Sequence, residues 1–559
     1  MEMRRDISGQ VEISVELSSF LKRFTVPASD DEKSFESSLR DYLKELTMNL
    51  AIPGEISLRI GLFPGDSETN SFAVTINGQR CRLPLPTEVK QNATPRELAK
   101  LVAAGVYQNR ELCLTASQSE RVLNQWLSHS GRAVMDSGIV PAEFHQCLLE
   151  LFRRGFGINR VKNLLAESNK QAPTGDGANT ELSDRIRESN DVAIKVFLGK
   201  KQFASVQNPA RDGDAAADDQ SIHELFSLMQ DGLFYELGLV LPDVVLEADD
   251  GLEDNEFQFQ VNDLRLLPVA GLEQNQILVN ETVERLSLLN VTGDKAANPA
   301  NCTESAIVRT GKGATEICRN AGLTTWGPAG FIVLSLSETI RKNAGNLLTT
   351  EVVEFMMNQL RQSFPALLSN TEARFSLVKL ARVLRDLLDE EISIRDLREI
   401  LEGLLSINGA TTTDLSKYIV FFPYTLNLCL LRGGGTAENL NSSDYSNCVR
   451  TFMKRYISHK YSRGNNTLPV YLIHPEIEAR INEIDKQPLK TEEHDKLIRS
   501  VTNEVQYSPT NTPVILTSIE GRKLLRNLIE KEFPWLAVLS YQELAPEMNI
   551  QPLARIEWS

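Results

Sequence analysis

The stretch 534-PWLAVLSYQELAPEMNIQPLARI-556 decides how this chain is read. Chain ends are usually loose and polar. This one opens on an apolar run, LAVLSY (536–541), and continues through Pro546, the doublet Asn549-Ile550 and Pro552. The apolar run reads as a strand, which must pair and bury and so fixes residues that would otherwise fray. The two prolines stiffen turns around Asn549. The pattern predicts a terminal α/β module closed by its own last strand, a rigid surface suited to binding.

Outward from the tail, the 559 residues suggest three or four domains. Apolar residues make up 42% and charged residues 24%, as in globular proteins with a sizeable core. The formal charge is −16 and the pI about 5.1. A phosphate backbone attracts basic surfaces, so no nucleic-acid partner is expected, and docking on anionic lipid is disfavoured. Seven cysteines, an odd number with no CxxC spacing, read as reduced thiols and not as a disulfide framework or zinc ribbon. No secretory signal is recognised at the start. The longest uncharged apolar run, YIVFFPYTLNLCLL (418–431), is 14 residues long and carries Pro423, too short to cross a bilayer.

Four stretches rich in Asn, Asp, Gly, Ala and Pro read as linkers: 167–181, 205–221, 293–304 and 432–444. Between them, SIHELFSLMQDGLFYELGLVLPDVVLE reads as an amphipathic helix and, after Pro242, a strand. EFQFQVNDLRLLP reads as a strand pair turning at Asn262-Asp263. EVVEFMMNQLRQSFPALL, SLVKLARVLRDLLDEE and ISIRDLREILEGLLS are helical patterns, the last with Ser393 as its N-cap. An internal correspondence is also visible. Residues 42–61 and 72–86 parallel 233–251 and 257–271, with Pro53 aligned to Pro242 and Phe72 to Phe257. Residues 147–165 parallel 383–401, with Ile158 aligned to Ile394. The segments recur in one order, as a duplication or as chance recurrence of a common pattern.

Chemistry-bearing motifs are sparse. No histidine falls in HExxH or HxxxH spacing and no G-x-S-x-G occurs, so no catalytic, metal or cofactor site is assigned. GKGAT (311–315) lacks phosphate-loop spacing and reads as a turn. The acidic DLLDEE (386–391) reads as a solvated helix end. In AGLTTWGPAGFIVLS, Trp326, Pro328 and Phe331 read either as an apolar dimple for a partner's side chain or as the entry to a core strand.

Residues 512–556 resemble the end of the FHIPEP family, the export-gate proteins of type III secretion. The matching positions are Ser540, Glu543, Pro546, Asn549, Ile550, Pro552, Arg555 and Ile556, with Ala554 in place of the usual glycine. The run Ser393-Ile394-Arg395-Asp396-Leu397 is similar to the family's helix pair. The segments 454–481 and 233–247 resemble further family stretches in the family's order. Two departures stand out. The family begins with a multi-span membrane half, whereas this sequence shows residues 1–188 there. In 324–337 Gly327 stands where the family has an aspartate, and the family's histidine is absent, so chaperone docking in the family's usual mode is in doubt.

The resemblance implies a multi-domain α+β fold of export-gate cytoplasmic modules. The expected division is 1–95, an α/β module repeating 222–275, and 96–188, helical plus linker. Next come 189–350, α/β with a small insert at about 268–328, and 351–464, helical with an insertion at 409–441. The C-terminal α/β module is 465–559. The implied function is a non-enzymatic docking or sorting scaffold for secretion substrates, their chaperones or other apparatus proteins. Its implied location is cytoplasmic, at the inner-membrane export apparatus, as a monomer or weak homo-oligomer. A stand-alone regulator of secretion, or an enzyme on a reused scaffold, are the alternatives.

Overall fold

The computed structural model describes residues 10–26, 33–62, 72–83, 89, 93–129, 140–159, 193–207, 221–300, 304–310, 313–408, 442–484, 487–505 and 513–558. The insertion 409–441, with its apolar run, and the linker 167–181 lie outside the described residues. The chain divides into two units, Met1–Phe203 with Pro242–Ala270 and Ala204–Leu241 with Gly271–Ser559.

The first unit opens on β1 (Val11–Leu17), whose alternation V-E-I-S-V-E-L buries one face only. Helix α1 (Phe35–Leu50) follows, N-capped by Ser34 and ended by Ala51 in the left-handed region. Then come β2 (Ile56–Leu62), β3 (Phe72–Ile76) and β4 (Gln79–Arg80), giving the sheet order β2-β1-β3-β4. Three helices complete this half: α2 (Pro95–Gln108), α3 (Ala116–His129) and α4 (Pro141–Arg153). A second sheet uses β5 (Ile194–Leu198), β6 (Val244–Ala248), β7 (Glu256–Val261), β8 (Leu264–Arg265) and β9 (Val269–Ala270). Its order is β6-β5-β7-β8, with β9 also on β7.

The two sheets share one topology. In each, the first strand pairs parallel with the second and antiparallel with the third, which turns back into the fourth. Leu17 faces Phe72 and Ile13 faces Ile76; Leu198 faces Phe257 and Ile194 faces Val261. Both hairpins turn on an asparagine with positive φ, Asn77 and Asn262. The aligned stretches before these hairpins began at 42 and 233, and the module match at 222, but the shared topology begins a strand earlier, at β5. Five residues gave that strand too little periodicity to be read.

The second unit starts with α5 (Ile222–Leu237), N-capped by Ser221 and ended by left-handed Gly238. A small sheet follows, made of β10 (Gln276–Val279), β11 (Gly293–Ala297), β12 (Glu304–Arg309) and β13 (Thr325–Trp326), in the order β11-β12-β10-β13. The expected linker 293–304 is therefore wrong at its start. Residues 293–297 pair along β12, and Asp, Lys and Ala there face outward on an edge strand, which hides them from a hydrophobic pattern.

The helices are α6 (Pro328–Lys342), α7 (Thr350–Arg361), α8 (Pro365–Glu372), α9 (Leu377–Leu388), α10 (Leu397–Asn408), α11 (Ser442–Phe452) and α12 (Lys454–Ser462). Helix α10 starts later than read. Asp396, not Ser393, accepts the hydrogen bond from the Glu399 backbone N–H, at 3.0 Å. Residues 392–395 stay out of the helix because the Ile394 N–H donates instead to the Leu237 carbonyl at the end of α5.

The last module has β14 (Thr467–Ile473), α13 (Pro475–Asn482), α14 (Thr491–Glu504), β15 (Val514–Thr517), α15 (Ile519–Ile529), β16 (Val538–Ser540) and β17 (Asn549–Ile556). It forms an all-parallel sheet, order β16-β15-β14-β17. The tail holds two strands where the sequence suggested one. Pro552 does not stiffen a turn; it sits within β17, opposite Val470, where Leu553 makes a bulge. An edge strand tolerates proline there because one side of its backbone needs no sheet partner.

Candidate partner-binding groove

Helix α5 buries Ile222, Phe226, Met229, Leu233 and Leu237, a stripe at helical spacing. Its apolar surface exceeds that stripe. Leu228 is 55% exposed and Tyr235 67%, with Leu225 half-buried beside them. Helix α6 packs against α5 and presents Gly330, Val333, Leu334 and Ser337 to it. Between them lies an open groove of about 330 Å³, closed at one end by Trp326 and rimmed by Glu236 and Arg341. A Cβ added at Gly232 would meet nothing within 4 Å. Arg341 Nε lies 3.0 Å from Glu236 Oε1. Burial alone would lower the Arg341 pKa, but its bonds to Glu236 and the nearby Glu338 turn the shift upward.

Of the three residues singled out in 326–331, Trp326 lines this groove. It also pairs with Leu278 through β13. Pro328 takes the first helical position of α6, where its missing N–H costs nothing. Phe331 is half-buried and is not among the groove's lining residues. Sequence reading missed the α5 side. Its signal was a helix with more leucine and aromatic residues than one core stripe uses.

The motif residues brace this platform. The Arg395 guanidinium donates to the Tyr235 carbonyl at 3.0 Å, and the Tyr456 hydroxyl accepts from the Ser393 N–H at 3.3 Å. Gly238 has φ 77°, and a Cβ there would lie 2.4 Å from the Arg395 nitrogen.

The tail motif closes a buried ion network. Glu543 accepts from Arg450 Nε at 2.7 Å and lies 3.1 Å from Arg522 Nε, all three side chains being essentially inaccessible. Glu390 joins them, 3.2 Å from Arg450 Nη1 and in contact with Arg522 and Lys523. DLLDEE is therefore not simply a solvated end: Glu390 is buried by α11 and α15 residues that the local pattern does not show. Burial alone would raise the Glu390 pKa, but Arg522, Arg450 and Lys523 hold it well below 4.5. The Ser540 backbone N–H donates to Glu543 Oε2 at 3.0 Å. Pro546 lies in a turn closed by the Met548 N–H on the Ala545 carbonyl, Asn549 opens β17 on the Asn466 carbonyl, and Arg555 faces Leu472 across the sheet.

In the first unit, Ser119 Oγ and His145 Nδ1 lie 2.8 Å apart, but the hydroxyl is fully buried. Among the described residues, no group of three or more His, Cys, Asp or Glu side chains could hold a metal ion, and no helix is long and apolar enough to cross a membrane.

A family model described as the FHIPEP family matches residues 157–420 and 435–549. Low calcium response locus protein D of Yersinia pestis is 27% identical over 430 residues, covering 72% of this chain and 55% of its own length. Flagellar biosynthesis protein FlhA of Bacillus subtilis is 23% identical over 342 residues, 58% of this chain and 45% of its own. The chain thus spans about half the length of these curated relatives. Among solved structures, CdsV of Chlamydia pneumoniae, in complex with CdsO, is 28% identical with a TM-score of 0.55. That match covers 65% of this chain and 97% of that one.

Proposed function

Because the chain belongs to the FHIPEP family of type III secretion export gates, we propose that it is a non-enzymatic docking scaffold of such an apparatus. The groove between α5 and α6 takes apolar side chains of a secretion substrate, its chaperone or another apparatus protein. The observation that carries this reading is the pairing of exposed Leu228 with the empty space over Gly232 beside Trp326. Protein contacts concentrate their energy where an apolar anchor enters such a pocket. That CdsV was solved with CdsO supports an apparatus protein as one class of partner. The scaffold works in the cytoplasm at the inner-membrane apparatus. It is a monomer or weak oligomer, with the −16 charge adding repulsion between copies.

Gly232→Leu tests the groove. The substitution fills it while favouring the helix, by up to about 1 kcal/mol. Secretion by cells that carry this variant as their sole copy should fall about tenfold or more, with the thermal transition of the purified chain unchanged or raised. Secretion at the unsubstituted rate would remove the groove from the mechanism.

A further inference from the structure

The α5–α6 groove has a counterpart in the first unit. Helices α1 and α5 are both 16 residues long, serine-capped, and ended by a left-handed residue. Helices α2 and α6 both carry proline at their first turn and end at an asparagine, Asn109 and Asn343, with φ of −112° and −116°. Thr115 and Thr349 then cap the next helices, α3 and α7. Helices α4 and α9 both run into a left-handed residue, Gly155 and Glu391, followed by the same closing bonds, Phe156 N–H to the Leu151 carbonyl and Ile392 N–H to the Leu387 carbonyl. Among the described residues, the succession of elements in 11–158 is thus that of 194–394 without β9, the small sheet and α8. The family match begins only at 157.

Counted from their N-caps, the paired helices put the two grooves in register. Where α5 has Leu225, Leu228, Met229 and Gly232, α1 has Ser38, Asp41, Tyr42 and Glu45; where α6 has Gly330 and Val333, α2 has Glu97 and Lys100. All six α1 and α2 residues line one cavity, of about 960 Å³. It is not open to a partner along its length, because the chain's own β7 hairpin covers it. Glu256, 5% exposed, accepts from Arg96 Nη2 at 2.8 Å and pairs with Lys100. Glu253 pairs with Arg96 as well. Gln258, 2% exposed, donates to Glu45 at 3.2 Å, and Arg265 Nε lies 3.3 Å from the same carboxylate. Strand β7 is therefore buried on both faces although every second residue is polar. These polar contacts flank an apolar one: Leu264, beyond the hairpin turn, is buried in the same cluster as Leu39, Leu46 and Phe156.

We propose that residues 11–158 are a second, shortened copy of the modules at 194–394, and that the two grooves have divided roles. The apolar one stays free for partners, whereas the charged one is the internal receptor for the Glu253–Glu256–Gln258 face of the chain's own β7 hairpin. The copy acts as an in-chain subunit that clamps the second sheet. The free groove's role rests on the docking reading above; the clamp does not.

The test is a charge swap in the full chain, read by hydrogen exchange at residues 257–265. Arg96→Glu with Lys100→Glu should speed exchange there by about tenfold or more, leaving β14 and β15 unchanged. Adding Glu253→Lys and Glu256→Lys should restore most of the protection. Unchanged exchange in the double variant overturns the clamp, as does a fourfold variant no better protected than the double. Should the double variant fail to fold, Lys100→Gln alone decides: exchange should speed at 257–265 and not at 514–517, and equal changes at both would overturn the proposal. Loss of the clamp leaves secretion through the Trp326 groove to be judged by Gly232→Leu alone.

Discussion

Replacing Glu543 with leucine should destabilise the second unit by about 3–5 kcal/mol. The carboxylate lies between Arg450 and Arg522, which are 1% and 0% exposed, and removing it leaves two guanidinium groups sharing the single carboxylate of Glu390 away from water. It also strips the Ser540 N–H of its 3.0 Å acceptor. Chemical denaturation followed by near-ultraviolet circular dichroism measures the loss. A change below about 1 kcal/mol would mean that the pairs behave as solvent-exposed ones. The same network sets an acid limit. Glu390 binds its proton less readily folded than unfolded, so its contribution is complete above pH 4.5 and is lost as the pH falls below it. Glu390→Gln should flatten that part of the pH profile.

Gly238→Ala should cost about 2–4 kcal/mol from two additive causes. The left-handed φ of 77° strains any residue with a Cβ, and the added carbon would sit 2.4 Å and 2.6 Å from the Arg395 N and Cα atoms. Neither atom belongs to a side chain that can swing aside, so the loop 392–396 must shift off the end of α5. Gly232→Ala, six residues earlier on the same helix, meets open space and should be neutral or stabilising by up to about 1 kcal/mol. Equal effects of the two substitutions would show that α5 does not dock on that loop.

Local chemistry was legible where it alone determines structure. The Asn262-Asp263 turn and the helical spacing of 377–388 are each written in a few neighbouring residues. The family resemblance of the tail was legible too, but not the purpose of its residues. Glu543 is a tail motif residue whose partners lie 93 and 21 positions away, and no local pattern announces that burial. Strand β17 was hidden by Pro552, which reads as a turn unless the strand is known to be an edge with a bulge. Strand β11 was hidden because its outward face is polar and small. The groove was half legible: Trp326 drew attention together with Pro328 and Phe331, whereas Gly232 matters through the space above it, which only the packing of α5 on α6 creates.

The central claim, that the α5–α6 groove docks proteins of the secretion apparatus or its cargo, is tested most directly by photo-crosslinking in cells with an active type III system. A crosslinking residue placed at Leu228 should capture substrates, chaperones or apparatus proteins, and Gly232→Leu in the same chain should abolish those adducts. One placed at Leu288, an equally apolar side chain that is 81% exposed on the small sheet's module, should not capture them. The same adducts from both positions, or adducts at Leu228 that survive Gly232→Leu, would contradict the account.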